Sequence, residues 1–105
     1  MAQLDVYPNP DLPTADDIPY LLDIQSGLLH TLPGCVVVPL AHPESLEALP
    51  ILRLNPRLEV AGLTVVMLTQ ELATVPRRAL KTPVANLSPQ RDEILAALDF
   101  LFTGF

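Results

Sequence analysis

Proline sets the grain of this chain. Twelve of its 105 residues are proline, about twice ordinary usage, and their spacing from Pro8 to Pro89 cuts the sequence into short segments. Each fixes φ and removes a backbone donor, so it belongs at a strand edge, a first position or a turn. Between the prolines lie runs rich in Val, Leu and Ile. Short apolar strands joined by turns describe a small barrel or curled sheet, and only the last segment is long enough for a good helix. The expected fold is mainly β with a C-terminal α-helix, one domain over residues 1–105.

Residues 3–7 alternate polar and apolar and predict a strand, followed by a Pro-rich acidic loop to residue 17. Residues 20–25 resume as a strand, residues 27–31 read as a turn or an exposed short element, and Pro33-Gly34 turns the chain into a buried strand over 35–40, completing a meander. Residues 42–54 form loop or short helical turns. Residues 58–68 predict two strands that turn near Ala61-Gly62, 70–75 a connecting turn, and 77–80 and 84–87 short strands. The final helix spans 88–102, with Ser88 as N-cap, Pro89 at the first helical position and Asp92 and Glu93 beside the positive end of the dipole. Ile94, Leu98 and Leu101 share one face, Leu95 and Phe102 lie alongside, and Asp99 interrupts the stripe. Gly104 can take a left-handed cap.

Twelve acidic against six basic side chains give a net charge of −6, which opposes the attraction to phosphate on which nucleic-acid binders rely. A direct DNA or RNA ligand is disfavoured. The single cysteine, Cys35, opens an apolar run and reads as a small buried thiol. No apolar run approaches the ~18 residues of a membrane span, and residues 1–5 lack the features of a signal peptide, so a cytoplasmic location with no membrane partner is expected.

No catalytic constellation stands out. His30 and His42 lie at no metal-ligand spacing from Cys35 or from carboxylates, Asp16-Asp17 reads as solvated charge in a loop, and no serine has elbow glycines around it. Arg77, Arg78 and Lys81 are the one local basic group and read as a solvated strand edge. Two features are out of place instead. Leu28 and Leu29 sit where a turn would be polar, and the helix closes on Phe102 and Phe105. Taken singly each pair is core. Together they suggest an exposed apolar surface, which on a monomer marks a partner site.

Asp5-Val6-Tyr7, Asp23-Ile24-Gln25-Ser26, Val37-Val38-Pro39-Leu40, Thr69-Gln70-Glu71-Leu72-Ala73-Thr74-Val75-Pro76, Val84-Ala85-Asn86-Leu87-Ser88 and the closing Phe102-Thr103-Gly104-Phe105 together resemble the CcdB family of toxins. The segments run in family order, without a gap from Pro56 onward. The resemblance implies an SH3-like barrel of the CcdB/MazF type, with an antiparallel sheet, a small second sheet and a C-terminal helix, acting as a homodimer. It implies a toxin of a type II toxin–antitoxin module that is not an enzyme and needs no cofactor or metal. Such toxins bind the DNA gyrase A subunit and trap its cleavage complex with DNA. A CcdA-like antitoxin neutralises them, and the complex of the two represses its own operon.

Carried over by position, the family's gyrase-binding surface falls on Leu28, Leu29, Asp99, Phe102, Thr103, Gly104 and Phe105. The best-known toxin of the family has Asn in place of Asp99 and ends Trp-Gly-Ile, so Thr103 replaces an indole that stacks on a gyrase arginine. Its loop corresponding to 11–17 is basic where this one is acidic. Two alternatives follow: a non-toxic relative that binds antitoxin only, and a MazF-like endoribonuclease, for which the basic groove is missing.

Overall fold

The meander forms as the sequence implies. β1 (Asp5–Pro8), β2 (Tyr20–Asp23) and β3 (Gly34–Ala41) pair antiparallel in order, with Val6 opposite Leu22 and Leu22 opposite Val38. Side chains alternate across a strand, so this register sends those three residues to one face. All three are fully buried. In the computed structural model, which describes residues 2–104, seven strands make one sheet that curls into a nearly closed barrel under a C-terminal helix. This is the SH3-like architecture.

β4 (Arg57–Val60) and β5 (Leu63–Met67) form a hairpin whose two turn residues both have positive φ, 49° at Ala61 and 85° at Gly62. Such a turn matches the right-handed strand twist, and Gly62 adopts it without cost. This hairpin is no separate second sheet: it is joined to β3 through Leu40–Met67 and Ala41–Val66 and so continues the one sheet. Leu58, Val60, Val65 and Met67 meet Val6, Leu22, Val38 and Leu40 in the barrel interior, with Ile94 and Ala97 of the helix α1 (Arg91–Thr103) closing it.

Four local expectations are corrected. The first strand begins at Asp5 rather than at residue 3, because Leu4 takes a φ of 72°. The segment 70–75 is not all turn: a 3-10 turn, Thr69–Glu71, leads into β6 (Ala73–Pro76), which pairs with the first half of β3 from Gly34–Pro76 to Val37–Ala73. β3 has eight residues, and β5 reaches only its last two. Residues 77–80 are not a strand but a 3-10 turn, Arg77–Ala79, while β7 is only Ala85–Asn86. Ser88 does not cap the helix. Ser88–Gln90 is itself a 3-10 turn, held because Asn86 Oδ1 accepts from the Ser88 backbone N–H and hydroxyl, and α1 starts at Arg91.

That turn places Gln90 against the open edge of β4. Its Oε1 accepts from the Glu59 backbone N–H and its Nε2 donates to the Glu59 carbonyl, both at 2.9 Å. The side-chain amide thus stands in for a neighbouring strand and latches the barrel. Gln90→Ala removes both bonds at an exposed site, so a loss of ~1–2 kcal/mol is expected in urea unfolding, with Gln90→Glu intermediate because it keeps the acceptor alone.

The outer face of the meander is also covered. Tyr7, Leu21, Cys35, Val37 and Leu80 form a second buried cluster, and Asp23, 2% exposed, lies beside it. Asp23 Oδ1 accepts from the Gln25 N–H at 2.9 Å and Oδ2 lies 4.0 Å from Arg77 Nη1. Arg77 is therefore folded in against a carboxylate, not solvated as expected. Burial, followed by the charges of Asp5 and Asp23, pushes the Tyr7 phenol up to about 12. Burial and then Asp23 push the Cys35 thiol up to about 11. Both groups hold their protons more tightly in the folded chain, so their contribution is complete below the unfolded values of 9.0 and 10.0 and is lost as pH rises through 11 and 12. Melting temperature is expected to fall progressively above about pH 9, and the double change Cys35→Ala with Tyr7→Phe should flatten that decline.

Candidate functional site

Helix α1 is 13 residues long and has three distinct sides. At ~100° per residue, Ile94, Ala97, Leu98 and Leu101 form one stripe, of which Ile94 and Ala97 are fully buried. Leu95, Asp99 and Phe102 flank it on one side, and Glu93, Ala96 and Phe100 on the other. Phe102 is 72% exposed, which leaves a large ring in water at the end of a helix that packing holds in place.

The end of α1 is rigidly finished. Gly104 takes a φ of 79°, as expected for a left-handed cap, and its N–H donates to the Phe100 carbonyl at 2.9 Å. The Thr103 hydroxyl donates to the Asp99 carbonyl at 2.7 Å, so its one donor is engaged within the helix. Asp99 and Thr103 are both exposed, and Gly104 with them. Phe105 lies outside the described residues.

Leu28 and Leu29 occupy the 3-10 turn Gly27–Leu29, which settles the ambiguous segment. Ser26 Oγ accepts from the Leu28 N–H at 3.2 Å, and His30 Nδ1 donates to the Gly27 carbonyl at 3.0 Å. Gln25 then ties the turn to the sheet. Its Nε2 donates to the Leu29 and Gly34 carbonyls, at 3.3 Å each, and its Oε1 accepts from the Val36 N–H at 3.1 Å. Leu28 is left 90% exposed and Leu29 46%. Leu32, 47% exposed just beyond, extends the patch. Both Gln25 and Leu32 went unassigned in the sequence, although Gln25 belongs to the segment Asp23-Ile24-Gln25-Ser26.

Within one chain these are two groups, one on the turn and one on the helix end. No hydrogen bond or ion pair among the described residues joins them. The remaining polar candidates stay dispersed. His30 is exposed, His42 faces only Glu44 at 3.7 Å, and Asp16 and Asp17 are exposed on the acidic loop. Among the described residues no group of His, Cys, Asp or Glu could hold a metal ion, and no helix is long and apolar enough to cross a membrane.

The family model described as CcdB protein matches residues 3–104 of the chain. The chain belongs to the CcdB family. CcdB proteins are toxins of toxin–antitoxin modules rather than a classical enzyme family, and gyrase and an antitoxin are the partners that the family implies in general. None of the curated proteins matches the chain significantly. The match spans both exposed apolar groups, Leu28 and Leu29 on the turn and Phe102 near the end of the helix.

Proposed function

We propose that this CcdB-family chain is a gyrase poison. As a homodimer it binds the DNA gyrase A subunit through Leu28, Leu29 and the Asp99, Phe102, Thr103, Gly104 and Phe105 end of α1, and it holds the gyrase–DNA complex in its cleaved state. A CcdA-like antitoxin relieves the block and, together with the toxin, represses transcription of the module in the cytoplasm. The observation that carries this reading is the exposure of Leu28 and Phe102 beside the Ser26 cap of the turn and the Gly104 cap of the helix. Large apolar side chains on an ordered backbone dock without a cost for ordering that backbone and gain the desolvation term, which is the profile of an interface hot spot.

The dimer is what unites the two groups. A twofold axis presents each patch twice, and a twofold-symmetric target such as a gyrase A dimer can be wedged by paired apolar ends. The chain contributes shape and apolar area, while the cleavage chemistry remains gyrase's own. Its net charge of −6 is compatible with acting on DNA metabolism through a protein partner. Induced expression in a bacterium tests the proposal: growth arrest with DNA breaks, relieved by gyrase mutations, is expected, and normal growth with no retention of the gyrase A subunit on the tagged protein would refute it.

Thr103 favours a second reading, an antitoxin-binding relative that does not kill. Its hydroxyl is spent on the Asp99 carbonyl and it offers no ring for an arginine. Cation–π stacking contributes ~1–2 kcal/mol in a desolvated site, so Thr103→Trp is expected to tighten gyrase binding ~10-fold. Growth arrest only in the Thr103→Trp variant would establish the second reading over the first.

A further inference from the structure

The turn that exposes Leu28 and Leu29 also fixes an imidazole beside them. In a 3-10 turn residues three apart eclipse one another, so Gly27 and His30 share one edge of this turn and Leu29 and Leu32 another. The His30 N–H donates to the Gly27 carbonyl at 3.3 Å and the Leu32 N–H to the Leu29 carbonyl at 3.1 Å. His30 folds its ring back along its own edge, with Nδ1 3.0 Å from the same Gly27 carbonyl. A carbonyl oxygen only accepts, so Nδ1 carries the proton, and in the neutral ring the lone pair lies on Nε2. One hydrogen bond thus sets both the tautomer and the direction of the ring.

His30 is exposed, and among the described residues its Nε2 has no hydrogen-bond partner. Much of the polar inventory around it is already engaged. The Leu28 and Leu29 N–H groups donate to Ser26, and the Gln25 side chain is bound to the Leu29 and Gly34 carbonyls and the Val36 N–H. The Thr31 hydroxyl turns freely, whereas the imidazole is held, and a held acceptor loses little freedom when a partner docks. A protein surface that covers Leu28, Leu29 and Leu32 also takes this nitrogen out of water. An acceptor desolvated without a donor is costly, so the docked surface must supply one.

We infer that His30 is a further contact of the Leu28–Leu29 patch, whose Nε2 accepts a hydrogen bond from an N–H donor of the gyrase A subunit: a lysine, an arginine or a backbone amide. The inference rests on the gyrase-binding reading and adds to its apolar contacts a polar one that sets specificity. A target with no donor at this place is rejected, because docking would leave the nitrogen buried and unpaired.

Titration of the purified full chain against the gyrase A subunit tests it, with thermal melts alongside. His30→Asn keeps an N–H donor at the reach of Nδ1 and removes the acceptor at Nε2. His30→Gln keeps an acceptor at the reach of Nε2, and His30→Lys puts a donor there. Affinity is expected to fall about 10-fold in His30→Asn, about 3-fold in His30→Gln, whose longer side chain has to be ordered, and in His30→Lys further than in His30→Asn. Melting temperatures should stay within about 4 °C of the wild type, as for other substitutions at exposed sites.

His30→Asn that binds as tightly as the wild type, or His30→Lys as tight as His30→Gln, would overturn the assignment. His30→Gln weaker than His30→Asn would overturn it as well, since the ring would then act by holding the turn through Nδ1. Binding by the wild type that Leu28→Glu abolishes and the His30 variants leave unchanged would remove His30 alone from the surface. A wild type that does not bind the gyrase A subunit would refute the gyrase reading and this inference with it.

Discussion

Phe102→Ala is expected to abolish growth arrest and to weaken binding of the gyrase A subunit by ~30-fold or more, the consequence of removing a central aromatic hot spot worth ~2 kcal/mol. The same change should barely move the melting temperature, because the ring is 72% exposed and makes no part of the barrel core. Titration of the purified variant against the gyrase A subunit, alongside a thermal melt, checks both halves. The contrast with neighbouring positions is what makes the result specific. Ile94, two helical turns earlier on the buried stripe, is fully buried, so Ile94→Ala would cost ~2–5 kcal/mol of stability and confuse loss of fold with loss of contact. Leu28→Glu, at 90% exposure, should repeat the Phe102 effect from the other patch with similarly little cost in stability.

The largest effect on stability is expected at Asp23. Its carboxylate is 2% exposed, accepts from the Gln25 N–H, and faces Arg77, whose side chain is 15% exposed. Asp23→Ala leaves a largely buried guanidinium without this counter-charge and a backbone donor without its acceptor, at a cost of ~3–5 kcal/mol. For a domain of this size that is a drop on the order of 15–25 °C in melting temperature. It also frees Gln25, whose side chain holds the Leu29 carbonyl, so the Leu28 turn should loosen with it. Urea unfolding of Asp23→Ala measures the first effect, and amide exchange at Leu28 and Leu29 the second. If Asp23→Ala melted within a few degrees of the wild type, the buried pair would be structurally idle.

Much of this was readable from residue chemistry alone because it is local. Ala61-Gly62 between two apolar runs needs only a turn with positive φ, and the 35–40 run is apolar enough to demand burial on both faces of a sheet. Leu28, Leu29 and Phe102 were visible as large side chains in positions with no obvious core to enter, and they are exposed. What stayed hidden depends on partners far away in sequence. Ala73, Thr74 and Val75 carry weak hydrophobic contrast, being exposed or half-buried, and become a strand only because β3 is longer than β5 can cover. Arg77 reads as a solvated charge until Asp23 is brought beside it. Ser88-Pro89 carries every local sign of a helix start, yet the Asn86 side chain tightens that turn and delays the helix to Arg91. Gln90, which latches the barrel, has no sequence signature at all.

The site follows the same division. Individual apolar residues were legible, and their support was not: Gln25 acts through three hydrogen bonds to the turn and to the strand beyond it. The Thr103 hydroxyl donates to the Asp99 carbonyl, so the residue that stands in place of an indole offers the exposed face neither a ring nor a free donor.

Trapping of gyrase on cleaved DNA, the function proposed for this chain, is read directly in a plasmid cleavage assay. Purified gyrase, supercoiled plasmid and ATP are incubated with the protein, the reaction is stopped with detergent and protease, and linear DNA is quantified. Linear plasmid is expected to accumulate with added protein, to be absent without gyrase, and to be lost with Phe102→Ala. Plasmid that stays supercoiled at saturating protein, with no binding to the gyrase A subunit, would contradict it.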